Sequence, residues 1–218
     1  MGYPLLAALH ASEVNRVYFS TDDPGMARVG KHYGAQVIER PPELRRATTT
    51  LGEVIIHGYK RITAQEGETL DALVVLLANA PTITSDLIDQ GIQILQKDSA
   101  LDVVMTVSKR NLFAPANALQ IGDSGLLFPY DRNIAVHDQD VYFADALLWV
   151  INPNFYFTDA MRDVSSNRIG NAARHRIAPL VHDGYGDVDY DWQIPAIEEW
   201  LRRRGFTEEA TPYTSAKA

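Results

Sequence analysis

Leu73-Val74-Val75-Leu76-Leu77 is an unbroken apolar run. After it, Thr84 or Ser85 supplies a helix cap, and Leu87, Ile88, Ile92 and Leu95 recur at helical spacing. A second apolar run follows, from Asp102 through Val103, Val104, Met105 and Thr106 to Val107. A short apolar run without polar alternation suits a strand covered on both faces of a parallel sheet. Two such strands joined by an amphipathic helix make a βαβ unit.

The same alternation extends towards the N-terminus. Residues 15–19 read as a strand, and residues 24–33 as a helix stopped by Gly34. Residues 36–39 form a short strand. Thr50-Leu51-Gly52-Glu53 is a capping box opening a helix with Val54, Ile55, Tyr59 and Ile62 on its apolar face. Beyond Ser108 the pattern changes. Gly122 and Gly125 punctuate short runs that suggest hairpins, residues 146–151 form another strand, and residues 191–203 form a final helix. Pro195 falls in that helix's first turn, where proline is tolerated. The expectation is an α/β fold: a Rossmann-like, mostly parallel sheet with helices on both faces. It is a single domain over residues 1–206, with an insertion at about 111–140 and a flexible tail over 207–218.

Composition narrows the function classes. The 218 residues are 46% hydrophobic and 22% charged, which are ordinary globular values. Twenty Lys and Arg stand against 28 Asp and Glu, a net charge of −8 that argues against nucleic-acid binding. With no cysteine, thiolate nucleophiles, disulfides and Cys-based metal sites are excluded, and a reducing cytoplasm fits. No apolar run approaches the roughly 18–20 residues of a membrane helix. The first residues lack the basic start and cleavage pattern of a signal peptide.

Two clusters could carry chemistry. Val17-Tyr18-Phe19 runs into Ser20-Thr21-Asp22-Asp23, at the carboxyl end of a strand where open α/β sheets bind ligands. Asp22 or Asp23 could equally cap the next helix. In Asp187-Val188-Asp189-Tyr190-Asp191-Trp192, the three carboxylates would share one face of an extended segment. Like charges that close repel by roughly 1–4 kcal/mol per pair, and a hard divalent cation such as Mg²⁺ relieves this. The alternative is a solvated loop whose Asp191 caps the final helix. The six histidines form no HxxxH pair, which argues against a His-based zinc site. Arg174-His175-Arg176 is either an anion anchor or a solvated basic turn.

Taken together these segments resemble the acylneuraminate cytidylyltransferases, the CMP-sugar-acid synthetases, whose fold is of the nucleotide-diphospho-sugar transferase type. Gly2-Tyr3-Pro4-Leu5-Leu6-Ala7 is similar to that family's Gly-Lys-Pro-Leu-Ile helix start, and Ser20-Thr21-Asp22-Asp23 to its Ser-Thr-Asp-Asp motif. Lys31-His32-Tyr33-Gly34-Ala35-Gln36-Val37 and Arg40-Pro41-Pro42-Glu43-Leu44 resemble its next stretch, and Asp187-Val188-Asp189 with Asp191-Trp192 its closing elements. The resemblance implies transfer of CMP from CTP to the anomeric hydroxyl of a sialic-acid-like or related sugar acid, with release of pyrophosphate. It implies Asp187 and Asp189 as catalytic carboxylates holding Mg²⁺, with Ser20, Asp22, Arg40, Thr50 and Asn79 around nucleotide and substrate. It also implies a cytoplasmic homodimer joined through a β-hairpin insertion, here residues 111–140.

The chain departs from the family pattern at several places. Ala78-Asn79-Ala80-Pro81-Thr82 stands where the family has Gln-Pro-Thr-Ser-Pro, Asp145-Ala146 where it has Asn-Gly, and Ala47 where it has Asp. The resemblance starts after the family's first strand and phosphate-binding loop, so the natural protein is expected to begin upstream of Met1. In that case the flanking strands, residues 17–19 and 73–77, should pair with each other or leave the chain unstable. Alternative functions are a catalytically silent domain of this fold serving binding or dimerisation, or a nucleotidyltransferase with another base or sugar.

Overall fold

The computed structural model describes residues 2–67, 69–130, 140–154, 175–207 and 210–215. Its elements in chain order are α1 (Gly2–His10), β1 (Tyr18–Thr21), α2 (Pro24–His32), β2 (Gln36–Glu39), α3 (Leu51–Glu66), β3 (Leu73–Leu76) and α4 (Ser85–Lys97). There follow β4 (Val103–Lys109), β5 (Leu119–Ile121), β6 (Leu127–Pro129), β7 (Tyr142–Ile151), β8 (Ile177–His182) and α5 (Ile194–Arg203).

Local signals place the helix ends. Asp23 caps α2 by accepting the Met26 N–H at 2.7 Å, and Gly34 follows with φ +93°, a value that favours glycine. Thr50 and Glu53 form the full capping box of α3, and Thr84 caps α4. The last helix differs from expectation. Asp191 opens a single 3₁₀ turn, Asp191–Gln193, and α5 starts at Ile194 with no side-chain cap. Asp191 is therefore not its N-cap.

The main sheet has the order β3-β7-β4-β8. β7 runs antiparallel to both β3 and β4, while β4 and β8 are parallel. Three of the four strands point the same way, but β7 separates β3 from β4 and opposes both, so two of the three pairings are antiparallel and the main sheet is mixed rather than mostly parallel as expected. Strand β8 was not anticipated. Its Pro179 weakens a sequence-based strand assignment, and the structure resolves this by placing β8 at the sheet edge, where proline is tolerated.

The two faces of the sheet carry separate cores. Val104, Leu148, Val150 and Leu180 pack with α1 and α4, while Val103, Met105, Trp149 and Ile151 pack with Ile55 and Tyr59 of α3. Full burial of each such side chain contributes about 1.5–3 kcal/mol. Tyr213, in the segment expected to be frayed, docks instead. It stacks on His10 at 5.0 Å and its hydroxyl accepts the Ser85 N–H at 3.2 Å.

β1 and β2 form a separate parallel pair. Tyr18 and Arg16 bind Glu66 of α3, and Val17 packs on the main core. Among the described residues β1 pairs only with β2, and β3 only with β7, so of the two expected outcomes the direct pairing of β1 with β3 does not occur. β5 and β6 form the expected hairpin, with Gly125 at φ +76° in its turn. Residues 131–139 of the expected insertion lie outside the described residues.

Candidate active site

The carboxyl ends of β1, β3, β4 and β8 carry polar residues, as expected for an open α/β sheet. At the end of β1, Arg40 gathers the first group. Its Nε donates to Ser20 Oγ at 3.1 Å, its Nη2 donates to the Ser20 carbonyl at 2.8 Å, and its Nη1 lies 3.9 Å from Asp22. The structure therefore brings Ser20, Asp22 and Arg40 together. Thr50 stands apart from them as the cap of α3, with its hydroxyl engaged by Glu53. The two regions are neighbours, because Arg40 is among the charges acting on His57 of α3. Burial and the Arg61 charge hold that imidazole below its usual pKa.

The second group forms after β3 and β8. Asn79 accepts the Val188 N–H on its own carbonyl at 2.9 Å and donates its side-chain amide to the Val188 carbonyl at 3.2 Å. Gln193 holds the same segment from the other side. Its Oε1 accepts the N–H of Asp189 at 2.8 Å and of Tyr190 at 2.7 Å, and its Nε2 donates to the Asp187 carbonyl at 3.1 Å. Asn79 and Gln193 thus hold the backbone of residues 187–190 largely through neutral amide groups, and no cation pairs with either carboxylate among the described residues. Burial and the negative charge of Asp189 push the Asp187 carboxyl above the ordinary aspartate range. Asn79, Asp187 and Asp189 therefore lie together, while Asp191 is drawn into the 3₁₀ turn.

Among the described residues no three His, Cys, Asp or Glu side chains gather as a metal cage. Two carboxylates nevertheless match Mg²⁺, which takes one or two from a protein and completes its shell with water and substrate phosphate. Beside them Tyr190 and Trp192 stack with ring centres 6.0 Å apart, both exposed. A cavity of about 900 Å³ lies behind the loop. Thr82, His182 and Gly184 line it together with His10, Ser85 and Trp200.

Sequence reasoning missed three residues at this sheet edge. Ser108 is the penultimate residue of β4, His182 ends β8, and Asp145 lies within β7 where the β4–β7 register shifts between Met105 and Val107. Such irregularities commonly re-aim a side chain beside an active site. Ser108 Oγ and His182 Nε2 both bind Asp145 Oδ2. Burial works against the Asp145 charge, but the hydrogen bonds from His182, Ser108 and Thr106 outweigh it and hold its carboxyl below the ordinary range. Residues spaced 37 apart carry no spacing signal. For Asp145 the hints were its place beside the apolar run 146–151 and its departure from the family's Asn-Gly.

No protein-family model matches the chain. N-acylneuraminate cytidylyltransferase A of Danio rerio is 22% identical over 212 residues, covering 97% of this chain and 47% of that protein. N-acylneuraminate cytidylyltransferase B of Danio rerio is 26% identical over 207 residues, covering 94% of this chain and 46% of that protein. The chain thus spans about half the length of the curated relatives it matches. A CMP:2-keto-3-deoxy-manno-octonic acid synthetase solved with CTP superposes with TM-score 0.59 at 16% identity, covering 93% of this chain and 86% of that one. A 4-diphosphocytidyl-2C-methyl-D-erythritol synthase superposes with TM-score 0.58 at 10% identity, covering 89% and 85%. The chain is thus similar in sequence, over nearly its whole length, to the N-acylneuraminate cytidylyltransferases, and it shares the α/β fold of these solved cytidylyl-transferring enzymes.

Proposed function

We propose that the protein is a cytidylyltransferase that transfers CMP from CTP to the anomeric hydroxyl of a sugar acid of the N-acylneuraminate or 2-keto-3-deoxy-octonate kind. The observation that carries this reading is the Asp187 and Asp189 pair, held by backbone contacts to Asn79 and Gln193 with both carboxylates free of ion pairs among the described residues. The identity to two cytidylyltransferases over more than nine-tenths of the chain supports it.

In this reaction the sugar hydroxyl attacks the α-phosphorus of CTP and the bond to pyrophosphate breaks. Such transfers depend mostly on positioning and charge neutralisation. Mg²⁺, held by Asp187 and Asp189, would supply that neutralisation at the phosphate oxygens. Asn79 keeps the carboxylate segment at the end of β3. Arg40, oriented by Ser20 and close to Asp22, offers a cation at the end of β1 for the nucleotide or the sugar carboxylate. Thr50, the cap of α3, would reach the nucleotide from outside that group. The active form is a homodimer joined through the exposed apolar hairpin, and the absence of cysteine fits a cytoplasmic enzyme. No helix among the described residues is long and apolar enough to cross a membrane.

The test is pyrophosphate release from CTP with N-acetylneuraminate and 2-keto-3-deoxy-octonate, with and without Mg²⁺. Asp189→Ala should lose turnover by at least about 10²-fold, the effect of removing a group that stabilises developing charge, and keep its far-ultraviolet circular dichroism. Turnover unchanged by Asp189→Ala, or no release with any sugar acid, would overturn the assignment.

A further inference from the structure

The nucleotidyl-transfer reading leaves Asp145, His182 and Ser108 without a role. We infer that this trio is a positioning device, which sets the loop from Asp183 to Asp189 at the sheet edge and so aims the two carboxylates of the proposed reaction. The inference rests on that reading for its catalytic consequence, while its structural part stands alone.

The chemistry of His182 is decided by its neighbours. Gly184 N–H lies 2.9 Å from His182 Nδ1. A backbone N–H can only donate, so Nδ1 carries the lone pair and Nε2 carries the proton. That proton points at Asp145 Oδ2. One imidazole therefore ties a carboxylate on β7 to a backbone amide of the loop. Both side chains are more than nine-tenths buried, where an unpaired charge is costly and a paired one is rigid. The trio is not a hydrolase triad. Ser108 and His182 bind the same carboxylate oxygen, and the imidazole lone pair is already taken by the Gly184 N–H, so the imidazole cannot serve as the base of a serine nucleophile.

The loop is pressed against this pair. A Cβ on Gly184 would come within 2.8 Å of Thr82 Oγ1 and 3.0 Å of His182 Nδ1, and one on Gly186 within 3.1 Å of the Asp145 carbonyl. Thr82 Oγ1 accepts the Tyr185 N–H at 3.0 Å and donates back to the Tyr185 carbonyl. Successive residues of the loop are thus fixed by His182, Thr82, Asn79 and Gln193, and the first of these anchors is held in turn by Asp145. Anchoring of this kind matters because a misplacement of about 1 Å can cost on the order of 10²-fold in rate.

His182→Gln separates the buried charge from the loop. Glutamine can still donate to Asp145, but it offers no acceptor at the Nδ1 position. Hydrogen exchange of the Gly184 amide should become faster, and kcat for pyrophosphate release should fall by about 10²-fold with little change in KM for CTP. His182→Asn restores an acceptor near Nδ1 and should recover part of both. Unchanged Gly184 protection in His182→Gln overturns the device. Faster exchange with unchanged kcat overturns its catalytic consequence. An inactive wild-type protein would refute the cytidylyltransferase reading instead, and exchange at Gly184 would still decide whether the device exists.

Discussion

Leu147, Leu148 and Val150 of β7 are fully buried, whereas Ile121, Leu126 and Leu127 of the hairpin expose 75%, 63% and 64% of their surface. The residue types are the same and the surroundings are not. β7 has strands on both edges and helices over both faces, with α1 and α4 on one side and α3 on the other. The hairpin has two three-residue strands and contributes nothing to the buried clusters. Two strands alone are marginally stable in water. Apolar side chains displayed on such a ribbon suit the proposed dimer contact, and Leu112 and Phe113 just before it are exposed as well. Apolarity thus indicates that a surface will be covered, while the fold determines whether the cover comes from the same chain.

That contrast can be broken at the core first. Leu148→Ala empties a site packed from α4 and both neighbouring strands, so it should cost about 2–5 kcal/mol in urea denaturation. A loss below about 1 kcal/mol would mean that the core is looser than its burial indicates.

An intermediate effect is expected at Asp187, with the opposite sign. Its carboxyl is held above the ordinary range by burial and by the charge of Asp189, so the folded protein grips this proton more tightly than the unfolded chain does. Ionisation above the unfolded value, about 4, therefore opposes folding. The opposition disappears as pH falls through the raised folded value. Asp187→Asn should raise the melting temperature at pH 7, with the gap to wild type closing below about pH 4. Mg²⁺ should raise the melting temperature of the wild type and not that of the variant. A variant no more stable than wild type at pH 7 would show that the two carboxylates do not burden each other.

The smallest change in folding stability belongs to the hairpin. Leu127→Ser removes no buried contact among the described residues, so its stability should stay within about 0.5 kcal/mol of wild type. Light scattering should nevertheless move from a dimer to a monomer. A wild-type monomer at micromolar concentration, or a variant that stays dimeric, would break the link between this exposed face and assembly.

The signals that could be read directly were the local ones. Thr50 with Glu53, Asp23, Thr84 and Gly34 act within one helical turn, so their roles follow from their immediate neighbours. The apolar runs located β3 and β4 as strands for the same reason, but only β4 is buried along its length; β3 lies at the sheet edge and is half-buried. Strand direction and order were less accessible. Nothing in the composition of β7 says that it inserts between β3 and β4 and runs against them, and Pro179 disguised an edge strand.

The candidate site divides in the same way. Asp187 and Asp189 were found because two residues separated by one share a face of an extended chain, a property fixed by backbone geometry. Asn79 was indicated by the family resemblance, and the tertiary structure brought it to the same segment through hydrogen bonds that span 109 positions. Asp145, Ser108 and His182 left no trace in spacing, because their meeting depends on a register shift in one strand pair and on the parallel alignment of another. Sequence by itself determined the elements, their caps and the paired carboxylates, since these rest on interactions between near neighbours along the chain. Only the tertiary structure decided which side chains surround those carboxylates, because long-range pairing and burial select contacts between residues that the sequence keeps far apart.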